Sequence, residues 1–301
     1  LENYNEDKPF FAFVSFTSPH DPRMAPKEYE EMFNTEKISL PENFQPIHPF
    51  DNGELIIRDE NLLPFPRTEE AVLGELASYY AMISEVDDNI GKILDALEKN
   101  GKYENTIIIF ASDNGLAVGQ HGLIGKQSLY DHSIRVPLIF SGPGIKKGVR
   151  TESLVYLHDL FPTIADLVGI KKSKIIDAKS LKPILDNPNE TIRETVFFLY
   201  KNFQRGVRTK DWKLIKYLVD GWQTTQLFDI NKDPLEMNNL VHDPKYTDEL
   251  EQMTALLQEC IYESGDKVQL DQPDWGVKVI KSWATKRKEK GLSLDYTGKD
   301  L

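Results

Sequence analysis

The chain has 301 residues, of which 40% are hydrophobic and 28% are charged, so its composition is that of a folded globular protein rather than a disordered one. Its formal net charge of −12 argues against a broad surface for nucleic acid or an anionic membrane. The single cysteine, Cys260, excludes an intrachain disulfide framework and a cysteine-rich zinc site. No apolar run approaches the ~20 residues of a membrane span. We therefore expect neither a nucleic-acid partner nor a membrane-spanning segment.

The amino terminus lacks the features of a natural start. Leu1 is not an initiator methionine, and the first methionine is Met24. Residues 1–8 are polar and hold no apolar core of a signal peptide. We interpret the chain as a processed product or a fragment of a longer reading frame, so the lack of a targeting signal has no bearing on export.

A continuous apolar run, Phe10–Phe16, predicts a strand that is buried on both faces, as in a parallel α/β sheet. Two prolines then impose a loop over Thr17–Arg23. Because ligands bind beyond the carboxyl ends of strands in open α/β sheets, His20 in this loop is a candidate functional residue. The alternative is an imidazole held by a backbone contact. The next segment, 26–66, has no periodic pattern and predicts a long binding loop or, alternatively, disorder.

A long amphipathic helix is predicted next. Apolar residues recur at three- and four-residue steps from 68 to 99, with Thr68 as the N-cap and Gly101 as the stop. The predicted buried face holds Leu73, Leu76, Ala77, Tyr80, Ile83, Ile90, Ile93, Leu94 and Leu97.

Two more buried strands, Ile107–Ala111 and Val136–Phe140, are predicted before a short helix at Leu157–Val168. Further along, short runs alternate with turns, which predicts a small antiparallel sheet. Its predicted strands are Val196–Tyr200, Gly206–Thr209, Trp212–Val219 and Thr225–Ile230. A helix over Tyr246–Tyr262, and then a polar, partly basic helix and tail over 271–301, are expected to end the chain.

The segment Ser112–Lys126 carries most of the chemistry. It follows a predicted strand directly, so Asp113 and Asn114 should lie at the carboxyl end of that strand. A carboxylate and an amide carbonyl are hard oxygen donors suited to Ca²⁺ or Mg²⁺, and four glycines in the segment permit tight turns. His121 and Lys126 add proton-donating and cationic groups. Such a set suits the polarisation and cleavage of an anionic ester.

The alternative for Asp-Asn-Gly is a simple hairpin turn, because Asn-Gly is the commonest two-residue hairpin loop. A hairpin predicts a second alternating strand immediately afterwards. The sequence after Gly115 is instead rich in glycine and irregular, so we favour a ligand-binding loop.

The remaining histidines and the cysteine have simpler interpretations. His132 and His158 lie in helix-like contexts and predict core or surface roles. His48 and His242 lie close to prolines and predict loop positions. Cys260 falls on the apolar side of the last helix, where we expect an unreactive core thiol.

Five motifs in a fixed order resemble those of the type I sulfatases, over about residues 9–257. They are Ser18–Pro22, Ser112–Gly115, Gly119–Lys126, Arg135–Ile139 and Leu227–Leu240. The resemblance implies the fold of the alkaline phosphatase superfamily, an α/β sandwich with a central, mostly parallel sheet. It also implies a smaller C-terminal α+β subdomain with an antiparallel sheet. We expect the catalytic part to cover 1–190 and the subdomain to cover 191–301.

The resemblance also implies roles for particular residues. Asp113 and Asn114 would bind a divalent cation, usually Ca²⁺ in this family, with Mg²⁺ as an alternative. Lys126 would bind the sulfate and stabilise the oxygen of the departing alcohol. His20 would contact the sulfate or the leaving group as an acid or hydrogen-bond donor, and His121 in the neighbouring loop would reach the substrate.

Basic residues in and beside the long loop could contact an acidic glycan. Arg23 is the one we predict as a substrate-binding residue, and Lys27, Arg58 and Arg67 are further candidates. For each of them the alternative is a solvated surface charge.

The family nucleophile, a formylglycine made within Cys/Ser-x-Pro-x-Arg, has no counterpart in the chain. Cys260 is followed by Ile-Tyr-Glu-Ser, and Ser18 is followed by proline one place too early. The paired aspartates that complete the family's metal site, and a further Lys and His, are missing too. We interpret this as truncation upstream of Leu1, and expect the isolated chain to be inactive and prone to aggregate.

Three functional hypotheses follow. The first is a sulfuric ester hydrolase acting on a sulfated carbohydrate, with aryl sulfate and choline sulfate as other possible substrates, exported to the periplasm or the exterior as the family implies. The second is a phosphodiesterase or phosphonate hydrolase of the same superfamily. Phosphodiesterases and phosphonate hydrolases often have His at the position of Asn114, so the pair Asp113 and Asn114 favours the sulfatase. The third is a non-catalytic glycan-binding subunit with a natural start near Leu1.

Overall fold

A computed structural model of the chain describes Tyr4, Glu6, 8–171 and 176–275. The helices of this part are α1 Lys27–Glu30, α2 Glu69–Lys99, α3 Asp131–Ile134, α4 Leu160–Leu167, α5 Lys182–Asp186 and α6 Thr247–Ser264. The strands are β1 Ile108–Ala111, β2 Leu138–Ser141, β3 Val196–Tyr200, β4 Gln204–Arg208, β5 Trp212–Val219 and β6 Trp222–Asp229. Short 3₁₀ turns occur at Thr35–Lys37, Glu60–Leu62, Tyr103–Asn105, Leu157–Asp159 and Pro244–Tyr246. The helix expected beyond 275 lies outside the described residues.

Helix α2 begins and ends where its sequence predicts. The hydroxyl of Thr68 accepts a hydrogen bond from the backbone N–H of Ala71 at 3.2 Å, and Gly101 adopts a φ of +64° just after the helix. The buried face is only partly the predicted one. Leu76 is buried as expected, whereas Tyr80 and Ile83 are exposed.

The first sheet is a two-stranded antiparallel pair in which Ile108 lies opposite Ser141 and Ala111 lies opposite Leu138. Within the described residues every strand pairing is antiparallel, so the parallel pairing expected for the central sheet is not found there. The run Phe10–Phe16 forms no strand and is largely exposed. Apolar character favours a strand, but a strand also needs a neighbouring backbone to pair with, and none of the described residues supplies one.

The second sheet is the antiparallel meander predicted from the short alternating runs. Its strand order is β3-β4-β5-β6, and β5 and β6 pair along their whole lengths. Helix α6 packs on one face, where Met253, Leu257 and Ile261 join Val207 and Leu214 in a single core. A half-buried Cys260 packs against this core, and burial raises its pKa, which fits the expected unreactive thiol.

The loop that follows β1 lies between the long helix and the second sheet. Val118 and Ile124 pack with Val72 and Leu76 of α2. On the opposite side, Ala117, Leu123, Leu129 and Tyr130 pack with Ile215, Tyr217, Phe228 and Ile230 of the sheet. Consecutive side chains of the loop therefore enter two different cores, which holds its backbone on both sides.

No helix in the described residues is long and apolar enough to cross a membrane. The predicted boundary between 1–190 and 191–301 stays a prediction.

Candidate active site

Two predicted residues, His20 and Lys126, meet in the structure although they lie 106 residues apart in the chain. The Nζ atom of Lys126 is 3.3 Å from Nε2 of His20. The other ring nitrogen, Nδ1, lies 2.9 Å from the backbone oxygen of Asp21, so Nδ1 carries the proton and Nε2 accepts from the lysine ammonium. The His20 side chain is 45% exposed. The pair therefore offers donors to an anion that arrives from solvent.

The glycines of the loop explain how Lys126 reaches this position. Gly122 has a φ of +75°, and a Cβ there would overlap the backbone of Ile47 and His48. Gly119 has a φ of +97°, and its N–H donates to the oxygen of Leu123 at 2.8 Å. The loop thus folds back on itself against the segment before it. The hairpin alternative is wrong, because the partner of β1 is β2 and not the residues after Gly115.

Asp113 and Asn114 lie at the carboxyl end of β1, as predicted. Asp113 is exposed, and its Oδ1 accepts from the N–H of Asn114 at 2.8 Å. The Nδ2 of Asn114 donates to the oxygen of Gly115 at 2.8 Å, so its other side-chain atom, the acceptor Oδ1, is the one suited to a cation. One carboxylate and one amide oxygen fit a hard divalent cation as two of its ligands. The described residues contain no group of three or more His, Cys, Asp or Glu side chains that could hold a metal ion.

Arg23, predicted to bind substrate, already has an anionic partner. Its guanidinium forms an ion pair with Glu75 of α2, and only 5% of its side chain is exposed. The guanidinium carbon also lies 6.0 Å from the ring centre of Tyr79. In this structure the Arg23–Glu75 ion pair connects the loop of His20 to the long helix, and a role of Arg23 in substrate binding stays a prediction.

His121, also predicted to reach the substrate, is buried instead. Its Nε2 accepts from Nδ2 of Asn43 at 3.1 Å, and its ring stacks on Tyr130 with 4.0 Å between the ring centres. Burial lowers its pKa to about 4, so the imidazole is neutral at pH 7. Its surroundings are those of a core residue, in contrast to the exposed pair of His20 and Lys126.

Two more histidines share this interior. His48 is fully buried and donates from Nδ1 to the backbone oxygen of His121 at 2.8 Å. Burial lowers the pKa of His48 to about 3. His132 lies 3.1 Å from the hydroxyl of Ser128, and burial again lowers its pKa well below the usual value. Of the core and surface roles expected for His132, the structure shows the core one. For His48 the neighbouring proline indicated a loop but gave no signal of burial.

A buried ionic cluster, which the sequence did not indicate, joins this region to the second sheet. Lys213 is fully buried, with its Nζ 2.9 Å from Asp131 and 2.5 Å from Glu236. Arg208 pairs with Asp131 as well. Burial alone would raise the pKa of Asp131, but Lys213 and Arg208 outweigh it and lower that pKa. The cluster compensates its own charges, so it anchors α3 rather than acting on a ligand.

Arg67 is not a solvated surface charge, whereas the Arg58 side chain is 62% exposed and is a surface charge with acidic partners. Arg67 is buried and pairs with the buried Glu60 at 2.6 Å. Arg58 pairs with Asp21 and Asp59. Local sequence patterns do not indicate these pairs, because their partners come from irregular segments. Lys27 is exposed and pairs with Glu31 at 3.3 Å.

Two protein-family models match the chain. The model described as Sulfatase matches residues 1–170, and the model described as N-sulphoglucosamine sulphohydrolase, C-terminal, matches residues 119–263. The chain therefore belongs to the sulfatase family, which confirms the resemblance seen in its motifs. Its fold is accordingly the mixed α/β, alkaline-phosphatase-like fold, with the antiparallel sheet in the C-terminal part. Proteins of this family generally use a divalent cation.

Curated relatives resemble the chain along much of its length. It is similar to a choline-sulfatase of Rhizobium meliloti (strain 1021), with 32% identity over 258 residues, which are 81% of this chain and 49% of that protein. It is also similar to an N-acetylglucosamine-6-O-sulfatase of Bacteroides thetaiotaomicron, with 34% identity over 198 residues, which are 61% of this chain and 35% of that protein. The chain thus spans about half, or less, of the length of these relatives.

Solved structures share the fold. A phosphonate monoester hydrolase of Agrobacterium radiobacter has a TM-score of 0.74 at 25% identity, over 86% of this chain and 58% of that one. A structure in complex with its substrate D-glucosamine-2-N,6-O-disulfate has a TM-score of 0.71 at 24% identity, over 85% of this chain and 65% of that one. The second likeness bears on the fold alone.

Proposed function

We propose that the protein to which this chain belongs is a sulfuric ester hydrolase that removes sulfate from a sulfated carbohydrate. The observation that carries the proposal is the contact of 3.3 Å between Lys126 Nζ and His20 Nε2, at the solvent-facing ends of two loops. A cation and an imidazole placed together can bind an anionic ester and deliver a proton to its leaving group. Membership of the sulfatase family supports this choice of ester.

In this proposal Lys126 binds the sulfate oxygens and stabilises the negative charge that develops on the departing alcohol. Only one of its ammonium hydrogens is needed for the bond to His20, so the others remain for the ester. In this tautomer Nε2 of His20 carries no proton, so it first takes up one from solvent, and the imidazolium then gives that proton to the leaving oxygen. The carbonyl of Asp21 holds the tautomer that leaves Nε2 facing Lys126.

Asp113 and Asn114 would hold the divalent cation, with Ca²⁺ as the proposed ion and Mg²⁺ as the alternative. When bound, the cation polarises the ester and offsets its charge. The formylglycine nucleophile belongs to the same proposal, and it would come from a segment outside the 301 residues. Arg23 and His121 are not assigned to the substrate, because both are engaged inside the protein.

The substrate class rests on relatives. The N-acetylglucosamine-6-O-sulfatase supports a sulfated sugar, whereas the choline-sulfatase keeps a small sulfate ester among the substrates to test. Location in the periplasm or outside the cell is proposed on family membership alone.

A phosphonate monoester hydrolase is the second candidate function, favoured by the TM-score of 0.74 to such an enzyme. Phosphonate monoesters and sulfate monoesters are both tetrahedral anions, so the pair of His20 and Lys126 suits either. A non-catalytic glycan-binding subunit is the remaining alternative.

The test begins with the coding DNA upstream of Leu1. If the frame continues, the whole product is assayed with sulfated sugars, choline sulfate, an aryl sulfate and a phosphonate monoester. The proposal expects sulfated sugars to be hydrolysed fastest, and expects Lys126→Met to lower kcat by about 10²–10³-fold, as for loss of one charge-stabilising donor. Lys99→Met, a change at an exposed lysine of α2, is the matched control. Faster phosphonate cleavage would favour the second candidate, and binding of sulfated sugars without turnover would favour the glycan-binding subunit.

A further inference from the structure

Three consecutive residues of the long irregular loop, Arg58, Asp59 and Glu60, contact both loops of the candidate site. We call them the 58–60 segment. Each side chain makes a different contact, and together these contacts bracket His20 and Lys126. No ligand-facing role is needed to explain them.

Glu60 holds the backbone immediately before Lys126. Its carboxylate accepts the N–H of Ile124 at 3.0 Å and the N–H of Gly125 at 2.8 Å. The same carboxylate accepts from Arg67 Nη2 at 2.6 Å, and both charged side chains are buried. A buried carboxylate with this many donors fixes the backbone that it contacts, because leaving it unpaired is costly.

Asp59 holds the residue after Lys126. Its Oδ2 accepts from Nε2 of Gln127 at 2.8 Å, and Oε1 of Gln127 accepts from the N–H of Lys126 at 3.0 Å. The backbone of Lys126 is thus held on both sides by consecutive acidic residues.

Gly125 permits this close approach. A Cβ at this position would lie 2.7 Å from Oε1 of Gln127 and 2.8 Å from Oε1 of Glu60. Both distances are shorter than real Cβ contacts, so a larger residue must displace the carboxylate of Glu60 and the amide of Gln127 that hold Lys126.

Arg58 reaches the other loop. Its guanidinium pairs with the carboxylate of Asp21, of which only 10% is exposed, and donates to Oδ1 of Asp59 at 3.1 Å. Asp21 is next to His20, and its backbone oxygen accepts from the ring of His20. A continuous series of contacts therefore runs from the ring of His20 to the backbone of Lys126 through Arg58 and Asp59.

We propose that the 58–60 segment is a positioning device that sets the separation of His20 Nε2 and Lys126 Nζ. Arg58, Asp59 and Glu60 are positioning residues, since none of them contacts the proposed ester. The inference deepens the proposed function and rests on it for its catalytic meaning, but the positioning itself is a property of the chain. A misplacement of about 1 Å in such a pair costs about 100-fold in rate.

The test uses the 301-residue chain with ¹⁵N-labelled histidine, and needs no substrate. Lys126→Met defines the ring ¹⁵N signal of His20 without its partner, and His20→Gln assigns that signal. Glu60→Gln and Gly125→Ala are expected to shift the signal towards the Lys126→Met position, while circular dichroism verifies the fold. Glu98→Gln at an exposed carboxylate, and Gly74→Ala where a Cβ has open space, are expected to leave the signal unchanged.

The two variants separate positioning from stability. Glu60→Gln leaves buried Arg67 without its anion and can fail to fold, in which case Gly125→Ala, which removes no charge, decides. Folded variants with the unchanged His20 signal would overturn the proposal, as would a Lys126→Met signal identical to that of the wild-type chain. In the whole enzyme, Gly125→Ala is expected to lower kcat about 100-fold with little change in KM. If the signals shift as expected but sulfate esters are not hydrolysed, only the proposed function fails.

Discussion

At the scale of single residues, the exposed histidine that meets a lysine contrasts with three buried histidines that remain neutral. His20 contacts Lys126 beside solvent, whereas His48, His121 and His132 lie around Tyr130. Each buried ring is held without charge because protonation would place an ion in the core. This difference gives the protein a defined response to acid.

The buried histidines predict a loss of stability between about pH 6.5 and pH 4. An unfolded histidine has a pKa of about 6.5, and the folded values are about 3 for His48 and about 4 for His121. Below pH 6.5 the unfolded chain therefore binds more protons, so the free energy of unfolding falls as pH falls. In this window each such histidine lowers the free energy of unfolding by about 1.4 kcal/mol for every unit by which the pH falls.

His48→Gln is expected to reduce that slope by about 1.4 kcal/mol per pH unit, measured by urea unfolding at several pH values. His242→Gln, a change at an exposed histidine, is the control and should keep the wild-type slope. An unchanged slope in His48→Gln would contradict the neutral, buried state of this ring.

The residue-level predictions that succeeded have local causes. Thr68 and Gly101 are recognisable because capping and the left-handed conformation depend on neighbours in the sequence. Asp113 and Asn114 were found at the end of a strand for the same reason. Burial of His48 and the ion pair of Arg23 depend on segments far away in the chain, and no local pattern reports them.

At the scale of elements, the structure has helices and strands close to where hydrophobic periodicity indicates them. The second sheet is built from the four predicted runs as an antiparallel sheet, and α6 begins one residue after the predicted start. The exception is Phe10–Phe16, where composition favoured a strand but the described residues provide no partner for pairing. Register and pairing direction, as in the antiparallel pair of β1 and β2, depend on which strand lies alongside. Hydrophobic periodicity does not predict that neighbour.

The start of α2 offers a measurable test of local sequence control. Thr68→Ala removes the side-chain acceptor for the N–H of Ala71 and should lower the free energy of unfolding by about 1 kcal/mol. Thr68→Ser retains an acceptor oxygen and should lose much less, with both compared by urea denaturation. Equal losses in the two variants would show that the cap hydrogen bond contributes nothing.

At the scale of the whole molecule, three packed hydrophobic clusters coexist with an apolar surface. Phe11 is 75% exposed and Phe13 is 84% exposed, in a stretch that forms no strand with the described residues. Such a stretch is a template for pairing with other chains. This agrees with the tendency to aggregate that we expect from the sequence.

Phe13→Asp is therefore expected to slow the association of the chain, followed by light scattering at fixed concentration. A charge in an exposed apolar stretch opposes strand pairing between molecules. Trp222→Asp is the matched change, because Trp222 is also highly exposed, at 81%, but lies at the start of a fully paired strand. Equal effects of the two substitutions would show that general hydrophobicity, rather than the stretch around Phe13, drives association.

The loop that carries Lys126 sends alternate side chains into the core of α2 and into the core of the second sheet. Local opening of the loop would expose both cores at once, so its amide hydrogens should exchange with deuterium only when a much larger unit opens. The loop is thereby a rigid part of a cooperative folding unit although it has no regular secondary structure. Mutations in the core of the second sheet that lower the free energy of this cooperative opening would therefore also make Lys126 more mobile. They would do so without contacting the candidate site.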